Sequence, residues 1–423
     1  MFAHLTLRRL AGSLAFAAAT AALLLSAGSQ AQAQSGEPIK IGFGMALTGP
    51  LAANGKQALL GMQIWEDQIN KKGGLLGRPV KLVFYDDQTN PSTVPGLYTK
   101  LIDVDKVDLV IGPYATNMIA PAMPVVMQKG KVFVTLFGLA VNSEFNYPKY
   151  FSMIPTGQNT KPSFTEGFFE IAAKNKLGTV SLVAADAEFS RNACEGAREN
   201  AKKHKMKIVY DRTYPPATTD FTPIVRAIQA ANPDAVVVCS YPLDSVGMVR
   251  AVNEIGFKPK MIGGAMVGLQ ATVFKQQLGP LLNGWINYET WVPSKHFLNP
   301  DVEAFLKEYQ SRAKAAGVDP LGYYLGTWGY AYVEVLGKAV EGAKTLNDDK
   351  IAEYLRTTPI RTIMGDIKFG KNGEWAESGM MQVQYKGIKG NDLDQFRGMD
   401  TQVVVDPPRF ATGEAVVPFE KLR

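Results

Sequence analysis

From residue 39 onward two apolar rhythms alternate along the chain. Short unbroken apolar runs, "IKIGFGMAL", "PVKLVFYDD", "VDLVIG" and "KVFVTLF", predict buried β-strands. Between the first two, "NGKQALLGMQIWEDQINKKGG" places Ala58, Met62, Trp65 and Ile69 on one helical face and stops at Gly73-Gly74. Helical segments are also expected after Pro91 and after Thr116. The apolar restart at "YFSMIP" opens a second series, with strands "TVSLVAA", "MKIVYD" and "DAVVVCS" and helices between them. Beyond about residue 290 come the helices "DVEAFLKEYQSRAKAAG" and "YYLGTWGYAYVEVLGKAV", then short strands "GDIKFG" and "MMQVQYKG". Strands apolar on both faces and alternating with helices imply parallel sheets covered on both sides, so the expected fold is α/β with two doubly wound Rossmann-like lobes. No solenoid-length repeat is visible.

The first stretch stands outside this pattern. Arg8 and Arg9 precede an apolar run from Leu10 to Leu25, and Ala31-Gln32-Ala33 follows. That order reads as a cleavable bacterial export signal over residues 1–33, not as a membrane anchor. No Cys stands at the cleavage site, which argues against a lipoprotein. The implied location is the periplasm. Removing the signal takes two arginines and no acid from a net charge of +6 and leaves +4. With no Lys/Arg block, this balance gives no reason to expect nucleic acid. Cys194 and Cys239 are too few for a disulfide scaffold or a metal cluster, and the sequence leaves open whether they are bridged or separate buried thiols.

In doubly wound sheets ligands bind beyond the carboxyl ends of the strands. The loops at those ends are 47–55 ("LTGPLAANG"), 112–117 ("GPYATN"), 137–142 ("FGLAVN"), 184–190 ("AADAEFS"), 239–245 ("CSYPLDS") and 263–268 ("GGAMVG"). None assembles a catalytic set. Asp86 and Asp87 are adjacent on a strand and so point to opposite faces, and capping before Pro91 accounts for them. His204 sits in the basic helix end "KKHKMK", and His296 lies in a loop with no partner in view. No GxSxG, P-loop or CxxC occurs, and "GFG" lacks the third glycine and the acid of a dinucleotide site. No enzyme activity, metal or cofactor is expected.

Taken in order behind an export signal, "LTGPLAANG", "INKKGGLLGRPVKLVFYDDQTNP", "VIGP" with a following small polar residue, and "DFTPIVRAIQAANPDAVVV" resemble the periplasmic binding proteins of the leucine/isoleucine/valine type. The resemblance covers nearly the whole chain after the signal. It implies two lobes joined by three crossover segments and closing on a small ligand, which an ABC transporter permease then takes up. Carried onto this chain, the lobes are 38–157 with 291–362, and 158–290 with 363–423, with hinges near Pro155, Trp291 and Met364. A monomer is expected.

The resemblance also implies site residues. A ligand carboxylate would meet Thr116 and the backbone of Leu139 and Ala140, while the family's second hydroxyl falls on Val141. The acids that would hold an ammonium fall on Asn159 and Ala265. An ammonium buried without a counter-charge is costly, so an amino acid would need Asp186, Glu188 or Asp244 to swing in. Aromatic residues surround the expected cleft: Tyr114, Phe137, Phe189, Tyr241, Tyr323 and Tyr324. One anion end, no cation end and several rings point to an apolar, aromatic carboxylate. The alternatives are a branched-chain amino acid and, in another class, a module that delivers ligand to a membrane receptor; no transmembrane helix or signalling domain is visible after residue 290.

Overall fold

The protein is described by a computed structural model covering residues 36–423, so the export signal read from residues 1–33 lies outside the described residues. Two sheets organise the chain. The first holds β1 (Ile39–Met45), β2 (Val80–Asp86), β3 (Leu109–Tyr114), β4 (Phe133–Leu136) and β5 (Tyr150–Ser152), all parallel, in the order β2-β1-β3-β4-β5. Its connections carry α1 (Ala52–Lys71), α2 (Val94–Asp103), α3 (Thr116–Gln128) and the short α4 (Val141–Phe145).

After α5 (Thr160–Ser163) and α6 (Glu166–Lys174), the chain builds β6 (Thr179–Ala185), α7 (Glu188–Lys203), β7 (Lys207–Tyr214), α8 (Thr222–Ala230), β8 (Ala235–Ser240), α9 (Pro242–Ile255), β9 (Met261–Met266), α10 (Thr272–Leu278) and β10 (Ile286–Glu289). These strands run β10-β9-β8-β6-β7, repeating the winding of the first sheet. Both sheets therefore reverse their strand order beside the first strand of the series, between β1 and β3 and between β6 and β8, and such switch points open crevices at the strand ends.

The last third divides between the two bodies. In α11 (Pro300–Ala316) and α12 (Leu325–Ala343) apolar faces return to the first sheet, and α12 lies against α1. Glycine is required at this crossing. A Cβ on Gly61 would strike the Gly326 carbonyl, and one on Gly329 would strike the Ala58 carbonyl. After α13 (Asp348–Thr357), β11 (Ile360–Thr362) and β12 (Gly365–Ile367) form a separate antiparallel ribbon. Gly373 O then accepts from Ser152 N–H at 2.8 Å, and the Phe369 ring lies 5.1 Å from Phe151, so this segment still packs on β5. Only beyond it do β13 (Met381–Tyr385) and β14 (Gln402–Asp406) add antiparallel to the edge of the second sheet. The chain passes between the sheets three times, after β5, after β10 and between β12 and β13.

One expected element is placed differently. "YFSMIP" does not open the second series. Tyr150 and Phe151 pair with Phe133 and Val134 of β4, and the bond from Phe133 N–H to Lys149 O, at 2.8 Å, extends the first sheet. The pairing buries both rings completely, which an isolated start of a new lobe would not do. Cys194 and Cys239 are joined in a disulfide that ties α7 to β8, with Cα atoms 6.0 Å apart.

Candidate ligand-binding site

The strand-end loops of the two sheets face one another. In the first lobe, the loop after β4 and the start of α3 are locked together, because Leu139 N–H donates to Thr116 Oγ1 at 3.0 Å. The Thr116 hydroxyl and the Leu139 amide thus serve each other. The first residues of a helix have N–H groups without an intrahelical carbonyl, so Thr116 and Asn117 still point such donors from the start of α3. The backbone here is strained. Ala115 (φ 81°), Phe137 (φ 68°) and Ala140 (φ 58°) all occupy the left-handed region without being glycine. Such conformations cost about 1–3 kcal/mol each and gather at ligand-binding and catalytic loops.

Aromatic side chains line the contact. Phe137 lies 5.7 Å from Tyr324 and 5.3 Å from Trp328, ring centre to ring centre. The Tyr114 hydroxyl is 3.1 Å from that of Tyr324 and accepts from Asn54 Nδ2 at 3.2 Å. Burial pushes the Tyr114 phenol up to about 12, so it stays a neutral donor and acceptor. Across the cleft Phe189, in the first turn of α7, meets Tyr241 edge-on at 5.8 Å and Phe164 at 5.3 Å. Phe164 in turn packs on Tyr288 of β10 at 4.7 Å, and Tyr288 shares a hydroxyl contact with Tyr324 of the other lobe. Two further bonds span the lobes: Tyr241 Oη–H donates to Asn117 Oδ1 at 3.0 Å, and Asn192 Nδ2 donates to Leu139 O at 3.3 Å.

The other sequence-chosen positions bring no side chain to this ring contact. Val141 begins α4, and its side chain belongs to a buried cluster with Met118, Ile119 and Phe133. Ala140 is buried beside it. Ala265 is 0% exposed within β9, paired with Cys239. Asn159 is exposed at the start of α5 and makes no cap bond with its side chain. Tyr323 turns away from Tyr324, donating to Arg397 O at 2.9 Å and packing on Trp291. Asn54, Asn117, Phe164, Asn192, Tyr288 and Trp328 join the cleft without having been singled out in the sequence. Asn54 lies in "LTGPLAANG" and Asn117 in "GPYATN", so the strand-end rule reaches both. Tyr288 stands in a plain strand, where no motif marks it.

Of the acids that an ammonium would need, Asp186 pairs with Arg191 at 2.7 Å on the surface. Glu188 is held up by burial and then by nearby Glu144. Asp244, in the first turn of α9, accepts from Tyr214 Oη–H at 3.2 Å, and burial raises it to about 6 despite that bond and the adjacent backbone amides. A cavity of about 580 Å³, lined in part by Tyr241, lies between Pro50, Leu51, Thr89 and Asn117 of the first lobe and the 216–219 loop, Phe221 and α9 of the second. No group of three or more His, Cys, Asp or Glu that could hold a metal ion occurs among the described residues. No helix among them is long and apolar enough to cross a membrane.

A sequence model of the family described as periplasmic binding protein matches residues 38–392. The chain belongs to the periplasmic binding proteins of the leucine/isoleucine/valine type. A relative in this family, Leu/Ile/Val-binding protein homolog 7 of Brucella abortus, is 25% identical over 384 residues, which is 87% of this chain and 94% of that one. Among solved structures, the Streptococcus pneumoniae branched-chain amino acid binding protein LivJ in complex with isoleucine superposes with a TM-score of 0.70 at 21% identity, covering 88% of this chain and all (100%) of that one. A Rhodopseudomonas palustris solute-binding protein in complex with 3,4-dihydroxy benzoic acid gives 0.72 at 18% identity, covering 91% and 99%. At these identities the structural likenesses establish a shared fold. The ligand of this binding protein has to be argued from its own cleft.

Proposed function

We propose that this chain is the periplasmic substrate-binding component of an ABC importer and that it binds an aromatic or similarly apolar carboxylate between its lobes. The observation that carries the reading is the set of rings that meet across the lobes, Phe137 and Tyr324 against Phe189, Tyr241 and Tyr288. The acid that the family resemblance expects for a ligand ammonium falls on Ala265, whose methyl group is fully buried. A ligand ammonium brought to such a place would lose its hydration without gaining a counter-charge, a loss of several kcal/mol. Asp244 does not fill the gap, because its carboxylate is engaged by Tyr214 and by the amides that open α9.

The rings of Phe137 and Tyr324 on one side, with Phe189, Tyr241 and Tyr288 on the other, suit a flat ligand. The free amides at the start of α3, with the Ala140 backbone nearby, suit its carboxylate. The lobes, expected as 38–157 with 291–362 and 158–290 with 363–423, would close about the three crossings with the second boundary moved to beyond Trp375, because Phe369, Gly373 and Trp375 pack on the first lobe. The ligand favours closure because it touches both lobes. An inner-membrane permease would then take it.

A thermal-shift panel tests the reading, since bound ligand raises the melting temperature by mass action. Benzoate-type acids are expected to raise it more than leucine does. A clear shift with leucine and none with any aromatic acid overturns the proposal and restores an amino-acid ligand.

A further inference from the structure

The cavity that Tyr241 lines is larger than benzoate needs. At about 580 Å³ it falls in the range that holds drug-sized ligands, roughly 300–1,000 Å³. One helix, α9, supplies the largest share of its lining. Leu243, Val246, Gly247 and Arg250 of α9 follow the i, i+3, i+4, i+7 spacing that keeps residues on one face, and all four line the cavity. From Tyr241 to Arg250 this face runs about 13 Å, at ~1.5 Å per residue.

The wall is shaped for an apolar occupant. Gly247 carries no side chain because Phe221 fills that space: a Cβ there would lie 2.5 Å from the ring. Leu51 of the first lobe stands among the lining residues, so both lobes supply apolar surface. Leu243, by contrast, is 60% exposed at the edge. Uncovered leucine at the rim of a cavity is surface that a ligand would remove from water. The far end is polar. Arg250 and Gln277 stand there, and Arg250 has no ion-pair partner among the described residues. Asp244 lies near Tyr241, so on the part of a ligand that runs along α9 a second anionic group is disfavoured beside Asp244 and favoured at the Arg250 end.

We infer that the ligand is an elongated aryl carboxylic acid, with its carboxylated ring between the lobes beside Tyr241 and Asn117 and an extended apolar arm along α9, tipped by an oxygen acceptor or second carboxylate at Arg250. This rests on the aromatic-acid reading above and narrows it to para-extended acids.

Titration calorimetry on the mature chain tests it with benzoate, para-butoxybenzoate and para-(carboxypropoxy)benzoate, and with leucine. The butoxy arm is expected to tighten binding at least about tenfold over benzoate, because each buried methylene adds to affinity. The terminal carboxylate should add about threefold more, and Arg250→Gln should remove that increment alone. Val246→Trp, which fills the chamber, should abolish the gain of both long acids over benzoate measured on the same variant. Benzoate binding as tightly as the long acids, or a gain that survives in both variants, overturns the elongated ligand while leaving the aromatic-acid reading standing. Leucine binding with no response to any of the three acids overturns that reading itself.

Discussion

Tyr241 of the second lobe donates its phenolic proton to Asn117 Oδ1 of the first lobe at 3.0 Å. The two residues are 124 positions apart, and each adjoins a group with another role. Asn117 follows Thr116 at the opening of α3, and Tyr241 holds the Phe189 ring edge-on. One hydrogen bond therefore joins the proposed carboxylate end of the site to its aromatic wall.

Removing that bond should weaken closure without emptying the wall. Tyr241→Phe is expected to lose about 0.5–1.5 kcal/mol of binding free energy, a few-fold to about tenfold in Kd. In a double-mutant cycle, Asn117→Ala should then add little further. Fully additive losses by calorimetry would mean that the bond is not made in the liganded state.

Thr116→Val tests the lock between the two first-lobe loops. It leaves the buried Leu139 N–H without its acceptor, at a cost of about 1–3 kcal/mol in urea unfolding. Thr116→Ser should restore most of that stability. If valine is as stable as threonine, the amide has found another partner.

The disulfide links α7 and β8, the elements that carry Phe189 and introduce Tyr241. Its partners are 45 residues apart, and a chain-entropy model gives about 4 kcal/mol for a loop of that length. Replacing both cysteines by alanine should lower unfolding stability by that order. The aromatic pair should also lose alignment, which raises the ligand off-rate in stopped-flow fluorescence.

Glu374 is 1% exposed, and neither carboxyl oxygen has a hydrogen-bond partner among the described residues. Burial pushes it from 4.5 up to about 8, against a smaller opposing effect of the nearby Ser152 hydroxyl. Its folded value is above its unfolded one, so the folded state keeps a proton that the unfolded chain has released. The stability it contributes is therefore complete below about pH 4.5, declines as pH rises and levels off above about pH 8. Glu374→Gln has no such titration. Urea unfolding at about pH 5 and pH 9 should show the variant gaining on the wild type by up to about 4 kcal/mol. Parallel pH profiles would show that Glu374 is ionised in the folded protein.

Much of the fold is legible because burial leaves a local trace. The runs at β1, β3 and β8 are apolar on both faces, and the 3.6-residue rhythm of α1 is plain in Ala58, Met62 and Trp65. The family and the strand-end loops follow from the same local patterns. β5 is ambiguous in the sequence because its three residues look alike whether they close one sheet or open another. Only the partner strand distinguishes the two.

The sequence by itself determined the two α/β windings, the loops on which a ligand site could sit, and the absence of an acid from "GGAMVGLQ". The tertiary structure alone decided which side chains meet. It joined Tyr241 to Asn117, brought Tyr288 to Tyr324, bridged Cys194 to Cys239, and left Asn159 on the surface with Ala265 inside β9. The physical reason is that periodicity records whether a residue is buried, whereas its partner depends on how two separately wound sheets are set against each other.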